Sequence, residues 1–156
     1  MFKLNPQYYY MGDTISAHNG PVEENIVDEL SFVLFLYPRD WTPVCTKEII
    51  DISRMKDHFK IPVFVGSANM PEAHAAFYSS LEEPIDVPAL TVTSSILDLD
   101  FKEKYGKVIF NEYDVTNRCT IICWRGQYYL KEGHIERPRN IAEIIDEINF
   151  LIEGDK

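Results

Sequence analysis

Phe32-Val33-Leu34-Phe35-Leu36-Tyr37-Pro38-Arg39-Asp40-Trp41-Thr42-Pro43-Val44-Cys45-Thr46-Lys47-Glu48-Ile49-Ile50-Asp51 is the stretch whose reading decides the fold. Its first six residues are apolar without alternation. Such a run reads as a strand buried on both faces, in a parallel-type sheet. Pro43 suits the first turn of a helix, where its missing N–H has no intrahelical partner. Thr42, just before it, is placed to act as the N-cap. Ile49, Ile50, Ile52, Met55 and Phe59 give the helix an apolar face, and Pro62 stops it. Cys45 therefore sits in the first turn of a helix, just past a buried strand.

Outward from this unit the pattern repeats. Residues 61–66 read as the next buried strand, and Pro71 opens a helix through Tyr78. Leu90-Thr91-Val92 reads as a short strand. Residues 97–105 read as a helix closed by Gly106 at its C-terminal cap. Residues 118–124 and 127–130 read as two strands around a tight turn at Arg125-Gly126. Asn140 caps a last helix, whose Ile141, Ile144, Ile145, Ile148, Leu151 and Ile152 make a stripe of 3.6-residue period. On the other side, Tyr8-Tyr9-Tyr10 reads as a short edge strand and Asn19-Gly20-Pro21 as a turn. Strands and helices that alternate in this way imply a central mixed β-sheet flanked by helices, an α/β three-layer sandwich.

The 156 residues fit one domain, 1–156, without repeats or linkers. A formal charge of −10 argues against nucleic acid or an anionic membrane surface as partner. No apolar run reaches the roughly 18 residues of a membrane span. The first residues lack the apolar segment of a secretion signal. Three cysteines without a CxxC pair point to a reducing, cytoplasmic setting rather than a disulfide-stapled domain. The four histidines, His18, His58, His74 and His134, have no metal-ligand spacing and read as surface or packing residues. No metal and no cofactor is expected.

An ordinary thiol has a pKa near about 8.5 and is mostly protonated at neutral pH. A helix N-terminus would favour the thiolate at Cys45 through its partial positive charge and unpaired N–H groups. The Thr42 hydroxyl, three residues back, would hydrogen-bond the sulfur and an incoming oxygen. A guanidinium from elsewhere would add full charge, and Arg118 is the candidate. Thiolates in such settings attack peroxides and give a reversible sulfenic acid.

Pro38, Thr42 and Cys45 stand in the register Pro-x-x-x-Thr-x-x-Cys. This resembles the signature of the peroxiredoxins, the alkyl hydroperoxide reductase and thiol-specific antioxidant family. Glu48, Val65-Gly66-Ser67 with His74-Ala75-Ala76-Phe77, the stretch ending in Tyr105-Gly106, and Arg118-Cys119-Thr120-Ile121-Ile122 are similar to further parts of that family. The resemblance implies a thioredoxin-like fold and a thiol-dependent peroxidase acting on hydrogen peroxide or small alkyl hydroperoxides. It implies that Cys45 is the nucleophile and that Thr42 and Arg118 polarise the peroxide. Pro38 would shield the thiolate, and the N–H groups of Val44 and Cys45 would face the substrate. Glu48 would orient the helix or Arg118. The family also implies a homodimer.

The chain departs from the family in three places. Gly12-Asp13-Thr14-Ile15-Ser16 begins like its Gly-x-x-x-Pro-x-Phe segment, but the Pro and Phe are missing. An aromatic wall would then come from Tyr8, Tyr9, Tyr10 or Trp41, residues that read equally as core or as a dimer patch. Cys123-Trp124 stands where the family often has Ile-Asp. No resolving cysteine occupies a family position, since residue 50 is Ile50. Only Cys119 and Cys123 remain, and they read as core packing. If Arg118 points into the site, strand alternation sends both to the opposite face. The expectation is a one-cysteine mechanism with an external thiol as reductant, of the thioredoxin, glutaredoxin or glutathione kind. The rival reading is a redox-responsive binding or sensor protein on the same fold. A thiol–disulfide oxidoreductase is disfavoured by the missing CxxC.

Overall fold

The computed structural model describes residues 8–11, 14–17, 31–85, 87, 89–92, 103, 106–113, 115–124, 127–133 and 137–154. Seven strands among these form one mixed sheet: β1 (Tyr8–Met11), β2 (Thr14–Ala17), β3 (Phe32–Leu36), β4 (Val63–Ser67), β5 (Ala89–Thr91), β6 (Cys119–Trp124) and β7 (Gln127–Glu132). Their order across the sheet is β2-β1-β5-β4-β3-β6-β7. Three helices are α1 (Pro43–Arg54), α2 (Pro71–Ser80) and α3 (Ile141–Gly154).

The quoted stretch supplies the centre. β3 pairs parallel with β4 and antiparallel with β6, so it has neighbours on both sides. That is why its five residues are all buried and show no alternation. Alternate residues still go to different layers. Val33 and Phe35 join a cluster with Ile49 and Ile52 of α1, Phe77 and Tyr78 of α2, and Ile141, Ile144, Ile145 and Ile148 of α3. Phe32, Leu34 and Leu36 join a second cluster with Phe64, Ile109, Phe110 and Ile121. The isoleucine stripe of α3 is thus core, and α1, α2 and α3 share one face of the sheet.

Asn140 caps α3 as expected, its Oδ1 accepting from the Glu143 N–H at 3.2 Å. Two local expectations are corrected. β1 is not at the edge, because it lies between β2 and β5. Gly106 does not cap a helix C-terminus. Residues 106–109 are helical, and the Gly106 carbonyl accepts from Phe110 N–H at 2.9 Å. Apart from the helical Glu103, the expected helix over 97–105 lies outside the described residues, as do the turns at Asn19-Gly20-Pro21 and Arg125-Gly126. No helix among the described residues is long and apolar enough to cross a membrane.

Candidate active site

β3 delivers the chain into the loop Tyr37–Thr42, and Pro43 starts α1. Thr42 has the extended backbone of an N-cap, with φ −79° and ψ 147°. Its side chain does not cap, which corrects the sequence reading. The hydroxyl donates to the Arg39 carbonyl at 3.1 Å and closes the loop instead. The Thr42 carbonyl accepts from Thr46 N–H at 2.9 Å and from the Thr46 hydroxyl at 2.7 Å. The Thr42 side chain leaves the first-turn N–H groups, Val44 and Cys45 among them, uncapped by the N-cap residue.

Cys45 faces the sheet, 1% exposed. Arg118, immediately before β6, crosses to it and sets Nη2 3.5 Å from the Cys45 Sγ. The other arm, Nη1, forms an ion pair with Glu48 Oε1. Glu48 lies one turn along α1 from Cys45, so one helix face carries both groups. Burial of a carboxylate this deep demands partners on both oxygens. The second partner is Arg139, which sequence reasoning missed. Its Nε lies 2.6 Å and its backbone N 2.8 Å from Glu48 Oε2. Its Nη1 donates to the Cys119 carbonyl at 2.9 Å and the Thr120 hydroxyl at 3.1 Å. Its guanidinium carbon sits 5.3 Å from the centre of the Phe35 ring. Burial pushes the Arg139 pKa down, and Glu48 pulls it back. One weak signal was present in the sequence. A cation just before the Asn140 cap opposes the helix dipole, so it needs a carboxylate elsewhere.

The loop has its own anchor. Asp40 is buried and receives the Tyr37 hydroxyl on Oδ1, while its N–H donates to Asn69 Oδ1 at 3.0 Å. Asp40 Oδ2 lies 2.7 Å from Nδ1 of His74, on α2, an electrostatic approach without good hydrogen-bond alignment. Burial, then Asp40, pushes the Tyr37 pKa well up. His74 is therefore more than a surface or packing residue: it is a fully buried partner of the loop. The next residue, Trp41, has φ 73°, the left-handed region that a bulky side chain avoids. Its ring is 56% exposed and leans on Phe77, with centroids 5.4 Å apart. Tyr8, Tyr9 and Tyr10 lie in β1, and their side chains fall outside the described residues. Pro38 and Arg118 line a cavity of about 420 Å³, together with Lys107, Asn117, Glu132 and Gly133.

The three cysteines form no disulfide. Cys45 belongs to the helix-side cluster, Cys119 and Cys123 to the opposite one. Pairing explains the separation: Cys119 lies opposite Leu36 and Cys123 opposite Phe32, both of which point away from α1. Burial pushes the Cys119 thiol up to about 11, Arg139 opposing.

Residues 14–132 match the model of the AhpC/TSA family. The chain belongs to this family, the peroxiredoxins. A curated relative, a peroxiredoxin from Thermoplasma volcanium, is 29% identical over 152 residues, covering 88% of this chain and 70% of that protein. Among solved structures, the reduced 2-Cys peroxiredoxin of Plasmodium vivax superposes with a TM-score of 0.79 at 20% identity, covering 99% of this chain and 80% of that one. Enterococcus faecalis AhpC gives 0.76 at 19% identity, covering 100% and 93%. Those identities speak to the fold, which is the thioredoxin-like arrangement expected from the resemblance. Membership in the peroxiredoxins makes the chain a thiol peroxidase, an oxidoreductase.

Proposed function

We propose that this peroxiredoxin reduces hydrogen peroxide or small alkyl hydroperoxides at Cys45. The thiolate sulfur attacks the terminal peroxide oxygen, the O–O bond breaks, and the leaving oxygen takes a proton to depart as water or an alcohol. Cys45 is left as the sulfenic acid. The observation that carries this reading is the Arg118 Nη2 atom 3.5 Å from the Cys45 Sγ, with its other arm tied to a buried carboxylate. Cys45, Arg118, Glu48 and Arg139 balance their charges when the sulfur is negative: two cations, two anions. The braced guanidinium is then a fixed donor for charge that develops on the peroxide oxygens.

In this reading Thr42 and the N–H groups of Val44 and Cys45 face the peroxide, and Pro38 limits water at the sulfur. Glu48 and Arg139 are positioning residues acting through Arg118. The cycle needs one cysteine of this chain, because Cys119 and Cys123 lie across the sheet from Cys45. An external thiol condenses with the sulfenic acid, releasing water, and a second thiol frees Cys45 by exchange. Thioredoxin, glutaredoxin or glutathione supplies these thiols, in a homodimer in the reducing cytoplasm.

The test is peroxide consumption with dithiothreitol, wild type against Cys45→Ser. The variant is expected to fall to the rate of buffer and thiol alone. Equal rates in the two proteins would overturn the proposal.

A further inference from the structure

We propose that Gly133 is a positioning residue for Arg118, and that its missing side chain holds the guanidinium at Cys45. This rests on the reading above, in which Arg118 serves the peroxide step. Gly133 follows β7 and donates its N–H to the Arg118 carbonyl at 2.8 Å, so the two backbones are held face to face. A Cβ at Gly133 would stand 2.7 Å from Arg118 Cγ, 3.0 Å from Cδ and 3.2 Å from the Arg118 carbonyl oxygen. The three nearest atoms all belong to one residue. Backbone freedom does not account for the glycine, because its φ lies outside the left-handed range. Close approach of the arginine stem does.

The stem is anchored at its far end. Among the described residues, Glu48 and Cys45 hold its guanidinium. Glu48 is itself gripped by Arg139. Carbon atoms rest about 3.5–4.0 Å apart, so a methyl group would displace Cγ and Cδ by up to about 1 Å. A contact of 3.5 Å to sulfur does not survive a shift of that size. Arg118 and Gly133 both line the cavity bordered by Pro38 and Asn117, so there is open space beside the stem for a displaced arginine to enter. Adding one methyl group would therefore move charge away from the sulfur without removing any charged residue from the chain.

The experiment compares Gly133→Ala, Arg118→Ala and the double variant in the full chain. Two readouts are taken: the rate constant for oxidation of Cys45 by hydrogen peroxide, and the pH profile of Cys45 alkylation by iodoacetamide. Gly133→Ala is expected to slow oxidation about 10- to 100-fold, as misplacements of about 1 Å do, and to shift the alkylation profile to higher pH. In the Arg118→Ala background the same change is expected to have no further effect, because Cγ and Cδ are gone. Wild-type rates in Gly133→Ala, or an undiminished penalty on top of Arg118→Ala, would overturn the proposal. Should Gly133→Ala not fold, the double variant is expected to fold, and its failure to do so would equally overturn it. A wild type that does not consume peroxide sinks the proposed function instead, while the alkylation profiles still report on Gly133.

Discussion

The two faces of the central sheet bury cysteines equally deeply and in opposite company. Cys45, on the helix face, is 1% exposed; Cys119 and Cys123, on the other, are 0% and 1% exposed. Burial therefore does not distinguish the thiol proposed as the nucleophile from the two proposed as bystanders. Neighbours do. Cys45 has a guanidinium within reach of its sulfur and a helix N-terminus beneath it. Cys119 packs among Phe, Leu and Ile side chains, and burial, against the pull of Arg139, pushes its pKa up to about 11. Strand alternation creates the contrast: Arg118, Thr120 and Ile122 serve one face, Cys119, Ile121 and Cys123 the other.

The strongest challenge to this comparison is a hydrogen peroxide pulse read by mass spectrometry. Cys45 is expected to be oxidised stoichiometrically, with Cys119 and Cys123 untouched. Oxidation of Cys119 at a matching rate would break the comparison outright.

The next effect is structural. Glu48→Ala strands two arginines in the interior and is expected to cost about 3–5 kcal/mol, the usual range for a broken buried ion pair. Thermal melts would show this as a fall of about 10 °C or more. A melt within a degree or two of wild type would mean that Glu48 is not what holds Arg118.

His74→Gln comes third. It removes the imidazole beside Asp40 while keeping similar bulk, and about 1–3 kcal/mol is expected to be lost from the unfolding free energy in urea. Peroxide reactivity is expected to fall with it, because Asp40 belongs to the loop that carries Pro38 and Thr42. Lost stability with full reactivity would separate the anchor from the site.

The smallest effect sharpens the comparison at alkaline pH. The Cys119 thiol titrates higher folded than unfolded, so its contribution is intact below the ordinary thiol range. It is lost as pH rises toward about 11. Cys119→Ala is expected to lose less stability over that interval than wild type, in denaturant titrations at successive pH values. Identical alkaline slopes would argue that the thiol ionises no differently in the fold.

Local signals made much of the molecule legible in sequence. The unalternating Phe32–Leu36 run, Pro43 and Pro71 at helix starts, Asn140 at its cap and the isoleucine stripe each depend on near neighbours in the chain. Thr42 shows the limit of such signals. Its backbone is that of an N-cap, yet its hydroxyl turns back to donate to the Arg39 carbonyl, an orientation in which it does not accept from the helix N–H groups. His74 and Arg139 were illegible as partners for a different reason. Their partners Asp40 and Glu48 lie 34 and 91 positions away in the chain, and nothing in local spacing links them.

The sequence by itself determined the strand, the loop and the helix start that present Cys45, since proline geometry, capping and hydrophobic period act over a few residues. It also determined, through alternation, that Arg118 and Cys119 part company. Only the tertiary structure decided what braces the Arg118 guanidinium and which glycine lies against its stem. Those are long-range contacts between buried charges, and packing must bring both partners out of water before either can be identified.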